Sequence, residues 1–252
     1  MVAAVYSGAM RFDPPLIPGR LVRRYKRFLA DVEIDGRPVT AHCPNPGSML
    51  GLADPGATVW LAPAAGAGRK LAYTLELVAA GDALVSVHTG RSNGLVAEAL
   101  AGGRIAPLAP YRHWRREVTI DGGSRLDFRL DGPGLAPLYL EVKSVTLRRS
   151  PARPGTAEFP DAVTARGARH MRALGALVAG GARAAVLFLV QRQDCERFQV
   201  AWDIDPAYGL ALAAAKASGV DILCYDCMVS PVAIEVSGPL PVLPSRPIYI
   251  DL

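Results

Sequence analysis

Between residues 20 and 90 the apolar residues come in short bursts with two-residue alternation, broken repeatedly by glycine, proline and aspartate. Leu29–Ile34 and Arg37–His42 flank Asp35-Gly36, the strongest two-residue signal for a hairpin. Thr58-Val-Trp-Leu follows Asp54-Pro55-Gly56, and Leu71–Val78 and Leu84–Thr89 bring the number of strands to five. Gly-rich loops at Ala64–Gly68 and Ala79–Asp82 separate them. Five short strands without a long helix predict a small closed barrel of the OB type.

The pattern changes near residue 91. Asn93 is placed to cap a short helix over Gly94–Ala101 that ends in Gly102-Gly103. Strand-like segments follow at about 114–120, 124–130 and 138–147. Asp161 is placed to cap a longer helix reaching Val178, with Gly180-Gly181 as its stop. Ala184–Val190 is continuously apolar, the pattern of a strand covered on both faces. An Ala-rich helix over 206–218 and a strand over 220–228 complete the series. The whole predicts a mixed α/β protein: an OB-like five-stranded barrel in 1–90, an α/β domain in 91–238 and a Pro-rich tail in 239–252. The tail, from Pro239 to Pro247, reads as a surface strap or a disordered end.

Composition narrows this little but excludes much. Half of the 252 residues are hydrophobic and a fifth are charged, which rules out disordered and fibrous classes. The longest apolar runs are too short to span a bilayer, so no membrane partner is expected. The opening MVAAVYSGA lacks the basic start and hydrophobic centre of a secretory signal, so a cytoplasmic protein is expected. Cys43, Cys195, Cys224 and Cys227 do not form a disulfide scaffold. Cys224-Tyr-Asp-Cys227 has the spacing of half a zinc site, but on a strand these two side chains face opposite ways, which favours ordinary packing.

Charge is more telling by region. Residues 91–154 hold 11 basic against 6 acidic residues, whereas 155–252 hold 8 against 10. An earlier cluster, Arg20, Arg23, Arg24, Lys26 and Arg27, lies beside Tyr25 and Phe28. Arg112, Arg115 and Arg116 lie beside Tyr111 and Trp114. Guanidinium groups suit phosphate because a planar fork donates two hydrogen bonds at once, and aromatics between them can stack on unpaired bases. A solvated basic face is the alternative reading of each cluster.

In Arg125-Leu-Asp-Phe-Arg-Leu130, alternation puts Asp127 on the face opposite Leu126, Phe128 and Leu130. After a Gly/Pro loop, Leu138-Tyr-Leu-Glu-Val-Lys places Glu141 and Lys143 on one face. A hairpin can set Asp127 beside Glu141 with Lys143 one step along. Two carboxylates can hold Mg²⁺ by oxygen, the ion activates a bound water, and the lysine stabilises developing charge. The plainer reading is a surface strand with a Glu–Lys pair and an unrelated Asp. Farther on, Arg166 and His170 share one helix face, suited to a phosphate clamp and a hydrogen-bond donor or to solvent.

Four longer stretches carry a resemblance. Arg24-Tyr-Lys-Arg-Phe-Leu-Ala-Asp31, His42-Cys-Pro-Asn-Pro-Gly-Ser-Met49, Glu141-Val-Lys-Ser-Val-Thr146 and Phe159-Pro-Asp-Ala-Val-Thr164 are similar to the sugar fermentation stimulation protein A family, in the family's order and from about Met10 onward. The resemblance implies a DNA-binding protein with an OB-like N-terminal part and a C-terminal domain like the PD-(D/E)XK restriction-endonuclease fold. It gives Asp127, Glu141 and Lys143 the roles of two metal-holding acids and catalytic lysine, and Glu98, on the preceding helix, that of a third acid. The implied cofactor is Mg²⁺ or Mn²⁺ and the implied partner is DNA, single- or double-stranded. Pro46 departs from the family's usual Thr, removing a hydroxyl and an amide donor, and residues 1–9 precede the usual start. Two functions follow: a metal-dependent DNA phosphodiesterase with little sequence specificity, or a non-enzymatic DNA-binding regulator of sugar (maltose) metabolism genes.

Overall fold

The computed structural model describes residues 9–64, 70–120, 123–149 and 154–244. They fall into two units. One comprises Met1–Ile105, Gln191–Asp194 and Asp226–Gly238, and the other Ala106–Val190, Cys195–Tyr225 and Pro239–Leu252. No helix among the described residues is long and apolar enough to cross a membrane. All four cysteines are buried thiols outside any disulfide.

The first unit opens with β1 (Met10–Arg11), β2 (Ile17–Tyr25), β3 (Leu29–Ile34), β4 (Arg37–His42), β5 (Thr58–Pro63), β6 (Tyr73–Ala80) and β7 (Ala83–Ser86), followed by α1 (Ser92–Ala101). The sheet order is β4-β3-β2-β5-β6-β7, and a β4–β6 pairing at His42 and Thr74 closes β2 to β6 into a five-stranded barrel. Leu21, Val32, Val59, Leu61 and Leu75 fill its interior. Cys43, Met49 and Leu52 from the segment after β4 pack against the same core. Asp35 and Gly36 both take positive φ, so the β3–β4 turn is of the mirror-image kind that matches strand twist.

The barrel is as expected, but one of its members is not. The fifth predicted strand, β7, pairs on β6 outside the closed ring. Its place is taken by β2, which the pattern did not reveal. Of the nine residues of β2 only Leu21 is fully buried, so the arginines hide the alternation. The cap on α1 differs as well. Its helix begins at Ser92, Arg91 stands at the cap without a side-chain bond to the helix's first N–H groups, and Asn93 lies inside the first turn.

The second unit holds β8 (His113–Thr119), β9 (Arg125–Asp131), β10 (Leu138–Val145), β11 (Thr156–Phe159), α2 (Ala165–Ala179), β12 (Arg183–Val190), β13 (Arg197–Val200) and α3 (Pro206–Ala217). β14 (Asp221–Val229) starts here, while its last residues and β15 (Ala233–Pro239) count with the first unit, where β15 pairs with β1. The main strands of the second unit run β14-β12-β10-β9-β8. β10 and β12 are parallel over their full length, joined by a crossover containing α2, and β8, β9 and β10 form an antiparallel meander. Ala184–Val190 is buried throughout, as its continuous apolar run predicts.

Gly167 on α2 leaves room for the Tyr208 ring of α3, which a Cβ there would meet at 3.1 Å. Gly209 on α3 accommodates the Trp202 ring, which a Cβ there would meet at 2.4 Å. Thr164, not Asp161, caps α2, its hydroxyl accepting from the Gly167 N–H at 3.0 Å. Thr164 in turn donates its own N–H to Asp205, the cap of α3, so one carboxylate ties both helix starts. β11 and β13 form a parallel pair that the sequence pattern did not show, being only four residues each. Of the tail, Pro241 and Leu243 bond to Phe198 on β13, so this part is a strap. Residues 245–252, like the loop residues 65–69, lie outside the described residues.

Candidate functional site

The β9–β10 ladder pairs Leu130 with Leu138, Arg129 with Tyr139 and Phe128 with Leu140. The next step would set Asp127 opposite Glu141. There the Val142 N–H donates to the Asp127 carboxylate, Oδ2, at 2.7 Å. The hairpin expected from the sequence has therefore formed, and a backbone donor anchors Asp127 beside the second acid.

Glu141 is only 4% exposed. Its Oε1 receives two donors, the Lys143 ammonium at 2.6 Å and His170 Nδ1 at 2.5 Å. Its Oε2 is buried and has no hydrogen-bond partner among the described residues. Burial pushes the carboxyl up, but the His170 hydrogen bond and the Lys143 charge outweigh it and hold the group below its ordinary range. Glu141 is thus an anion with one oxygen saturated and one left over, an arrangement that costs stability unless something else uses the second oxygen.

α2 supplies the rest of this pocket. Gly167, Ala168, His170, Met171 and Leu174 form its buried side. Arg166, one turn before His170, donates from Nε to His170 Nε2 at 3.4 Å. The expected i, i+4 pairing is present, but His170 is as buried as Glu141 and its bond goes to that carboxylate. Tyr208 from α3 lies close enough that the Glu141 charge, added to burial, raises its phenol well above the usual value.

Whether these groups suit a divalent ion can be judged from the donors. Two carboxylates, one with a spare buried oxygen, are hard oxygen ligands of the kind Mg²⁺ and Mn²⁺ take. Among the described residues no group of three or more His, Cys, Asp or Glu side chains is arranged to hold an ion alone. The pair therefore fits an ion that draws most of its ligands from water and phosphate. Glu98 stands on α1 in the first unit, where its Oε2 is also buried without a hydrogen-bond partner among the described residues. Burial, and to a lesser degree Glu235, raises its carboxyl while Arg104 pulls it back.

The basic residues divide into two kinds. Arg24 donates to the carbonyls of Asn45, Gly47 and Ser48, and Arg27 to that of Pro46. These two guanidinium groups strut the His42–Met49 segment. Within it Asn45 accepts from the Gly47 N–H and donates to the Val87 carbonyl, which fixes the local turn. Arg20 donates to the Gly56 carbonyl and Arg23 pairs with Asp31 at 2.8 Å. Lys26 is exposed at the β2–β3 turn, and Phe28 next to it is 44% exposed. On β8, Arg115 and Arg116 are exposed, as is Arg112 before it. Tyr111 is buried and its hydroxyl accepts from Arg183, so it offers no face for stacking.

A second charged cluster escaped the sequence reading. Arg149 donates to Glu158 through Nε and Nη2 and to Asp203 through both Nη atoms, and Gln199 donates to Glu158. The Asp203 and Glu158 bonds raise the Arg149 guanidinium further above its ordinary value. These residues, spread from 149 to 203, share no local spacing that could have signalled the contact. They fasten β11 just beyond the end of β10.

Comparison with known proteins gives one consistent answer. Residues 22–87 match the family model described as the SfsA N-terminal OB domain, and residues 90–233 match that of the sugar fermentation stimulation protein RE domain. A sugar fermentation stimulation protein homolog of Ruegeria pomeroyi is 51% identical over 233 residues, covering 92% of this chain and all of that protein. One from Nitrosococcus oceani is 52% identical over 236 residues, covering 92% and 99%. Among solved structures, Pyrococcus furiosus SfsA in complex with Ca²⁺ superposes with a TM-score of 0.83 at 26% identity, over 93% of this chain and 98% of that one.

Proposed function

The chain belongs to the sugar fermentation stimulation protein family, and from that premise we propose that it is a divalent-metal-dependent DNA phosphodiesterase with little sequence preference. The observation that carries this reading is the spare buried oxygen of Glu141 beside the anchored Asp127. The Ca²⁺ bound by the Pyrococcus furiosus relative supports a divalent ion in this fold.

Asp127 and Glu141 would hold Mg²⁺ or Mn²⁺. Such an ion supplies an activated water and neutralises charge on phosphoryl oxygens. Lys143, held on Glu141 at 2.6 Å, keeps an ammonium on the face of the two acids, where it stabilises negative charge that grows on the phosphate. The exposed Arg115, Arg116 and Lys26 contact the DNA backbone. Arg24 and Arg27 shape the neighbouring loop, and Phe28 offers a ring to an unpaired base.

A second reading, a DNA-binding regulator without activity, is supported by the name of the relatives, sugar fermentation stimulation protein homologs, which describes an effect on sugar use. One experiment separates the two. Purified protein is incubated with single- and double-stranded DNA over a series of Mg²⁺ and Mn²⁺ concentrations. Cleavage is expected, abolished in Asp127→Asn with DNA binding kept or strengthened, because a repulsive charge is gone. Lys143→Ala should lose ~10²-fold in rate with little change in affinity. No cleavage by the unaltered protein with any divalent ion would leave the regulator reading.

A further inference from the structure

A buried histidine is most often a core residue that has found one partner, and His170 would pass as such if it bonded a backbone carbonyl. It bonds a carboxylate instead, and one already held. Lys143 and His170 both donate to Oε1 of Glu141, while Oε2, equally buried, receives nothing from the described residues. A carboxylate free to rotate would share two donors between its two oxygens. Here both are stacked on one side.

We propose that His170 is a positioning residue of the metal site: together with Lys143 it saturates Oε1 of Glu141, so that Oε2 alone is presented to the divalent ion. The inference rests on the metal-dependent reading above and deepens it. Arg166 completes the device. Its Nε–H donates to Nε2 of His170, which must then be bare, so the ring proton sits on Nδ1, facing Glu141. His170 is also buried on α2, together with Met171 and Leu174. Donors that orient a ligating carboxylate without touching the ion commonly govern how well the ion is held.

The test reads ion binding directly, without turnover. Ca²⁺ is titrated calorimetrically into the full-length protein and into His170→Leu, His170→Asn and Arg166→Leu, with circular dichroism as the check on folding. His170→Leu should weaken Ca²⁺ about 10- to 100-fold. His170→Asn, which keeps an N–H near the Nδ1 position, should recover most of that loss, as a residue that only fills space would not. Arg166→Leu, at an exposed position, should fold whether or not His170→Leu does, and should weaken Ca²⁺ about tenfold. DNA affinity in chelator should stay unchanged in the two His170 variants, whose side chain is buried. Binding of Ca²⁺ at the unaltered strength by folded His170→Leu, or by Arg166→Leu if the leucine variant at 170 does not fold, overturns the positioning role while leaving the phosphodiesterase reading intact. Ca²⁺ binding by the unaltered protein that weakens as expected, without DNA cleavage in Mg²⁺ or Mn²⁺, upholds the role of His170 and overturns the reaction instead.

Discussion

Glu76 on β6 is 1% exposed and holds two groups at once. Arg91 reaches both its oxygens at 2.6 Å and His88 Nδ1 lies 3.1 Å from each. Burial pushes its carboxyl up, but the His88 and Arg91 bonds outweigh that and leave it lowered. A group whose folded pKa is depressed stabilises fully above its unfolded value, about 4.3 for Glu, and loses that contribution as pH falls through the folded value. Glu76→Gln should therefore cost about 3 kcal/mol at pH 7, since it leaves the partly buried Arg91 guanidinium facing a neutral amide. Urea unfolding at pH 7 and again below pH ~4 checks this, with the gap expected to close in acid. An equal gap at both would assign the effect to shape. None of this was visible in the sequence, because residues 76, 88 and 91 meet only through the bend from β7 into α1. The Arg24 and Arg27 struts teach the same lesson. A basic cluster reads as a phosphate contact until the carbonyls it satisfies are known.

Among the elements, β8 most invites a test. It is the edge of its sheet, with Arg115 and Arg116 exposed, and Glu117 takes positive φ where the ladder passes from Arg116–Phe128 to Val118–Leu126. Exposed charge and a local kink discourage another strand from pairing there. On the DNA-binding reading the same charges face phosphate. Replacing both arginines with Ala should reduce the slope of log affinity against log salt by about 2 on duplex DNA, near 0.9 per contact. Arg24→Ala should instead destabilise the barrel with less effect on the slope, because its guanidinium is committed to three carbonyls. Fluorescence anisotropy at several salt concentrations measures both slopes. A slope unchanged in the double variant would remove β8 from the interface.

At the scale of the whole molecule the net charge of +5 is unevenly spread, with the excess in residues 91–154. If six or more phosphates are neutralised, DNA affinity should fall about 10³-fold or more between 50 and 200 mM salt. Scrambled sequences should bind alike, since phosphate contacts carry no sequence information. Affinity that stays flat over that range would rule out a binding mode built on the basic clusters.

What could be read from the chain alone follows from how local each signal is. The Asp35-Gly36 hairpin, the buried run Ala184–Val190 and the alternation that puts Asp127, Glu141 and Lys143 on facing strands all depend on residues within one or two elements. Their periodicity carries the information. β2 escaped because its one buried residue sits among arginines whose carbonyl partners lie more than twenty residues away. Thr164 displaced Asp161 as the cap because the choice is made jointly with Asp205, on another helix. The placing of His170 on Glu141, which leaves one carboxylate oxygen unused, exists only once α2 has crossed over and packed beside β10. Side-chain spacing sets which residues share a face, but only packing between distant elements decides which of them touch and which atom is left open for chemistry.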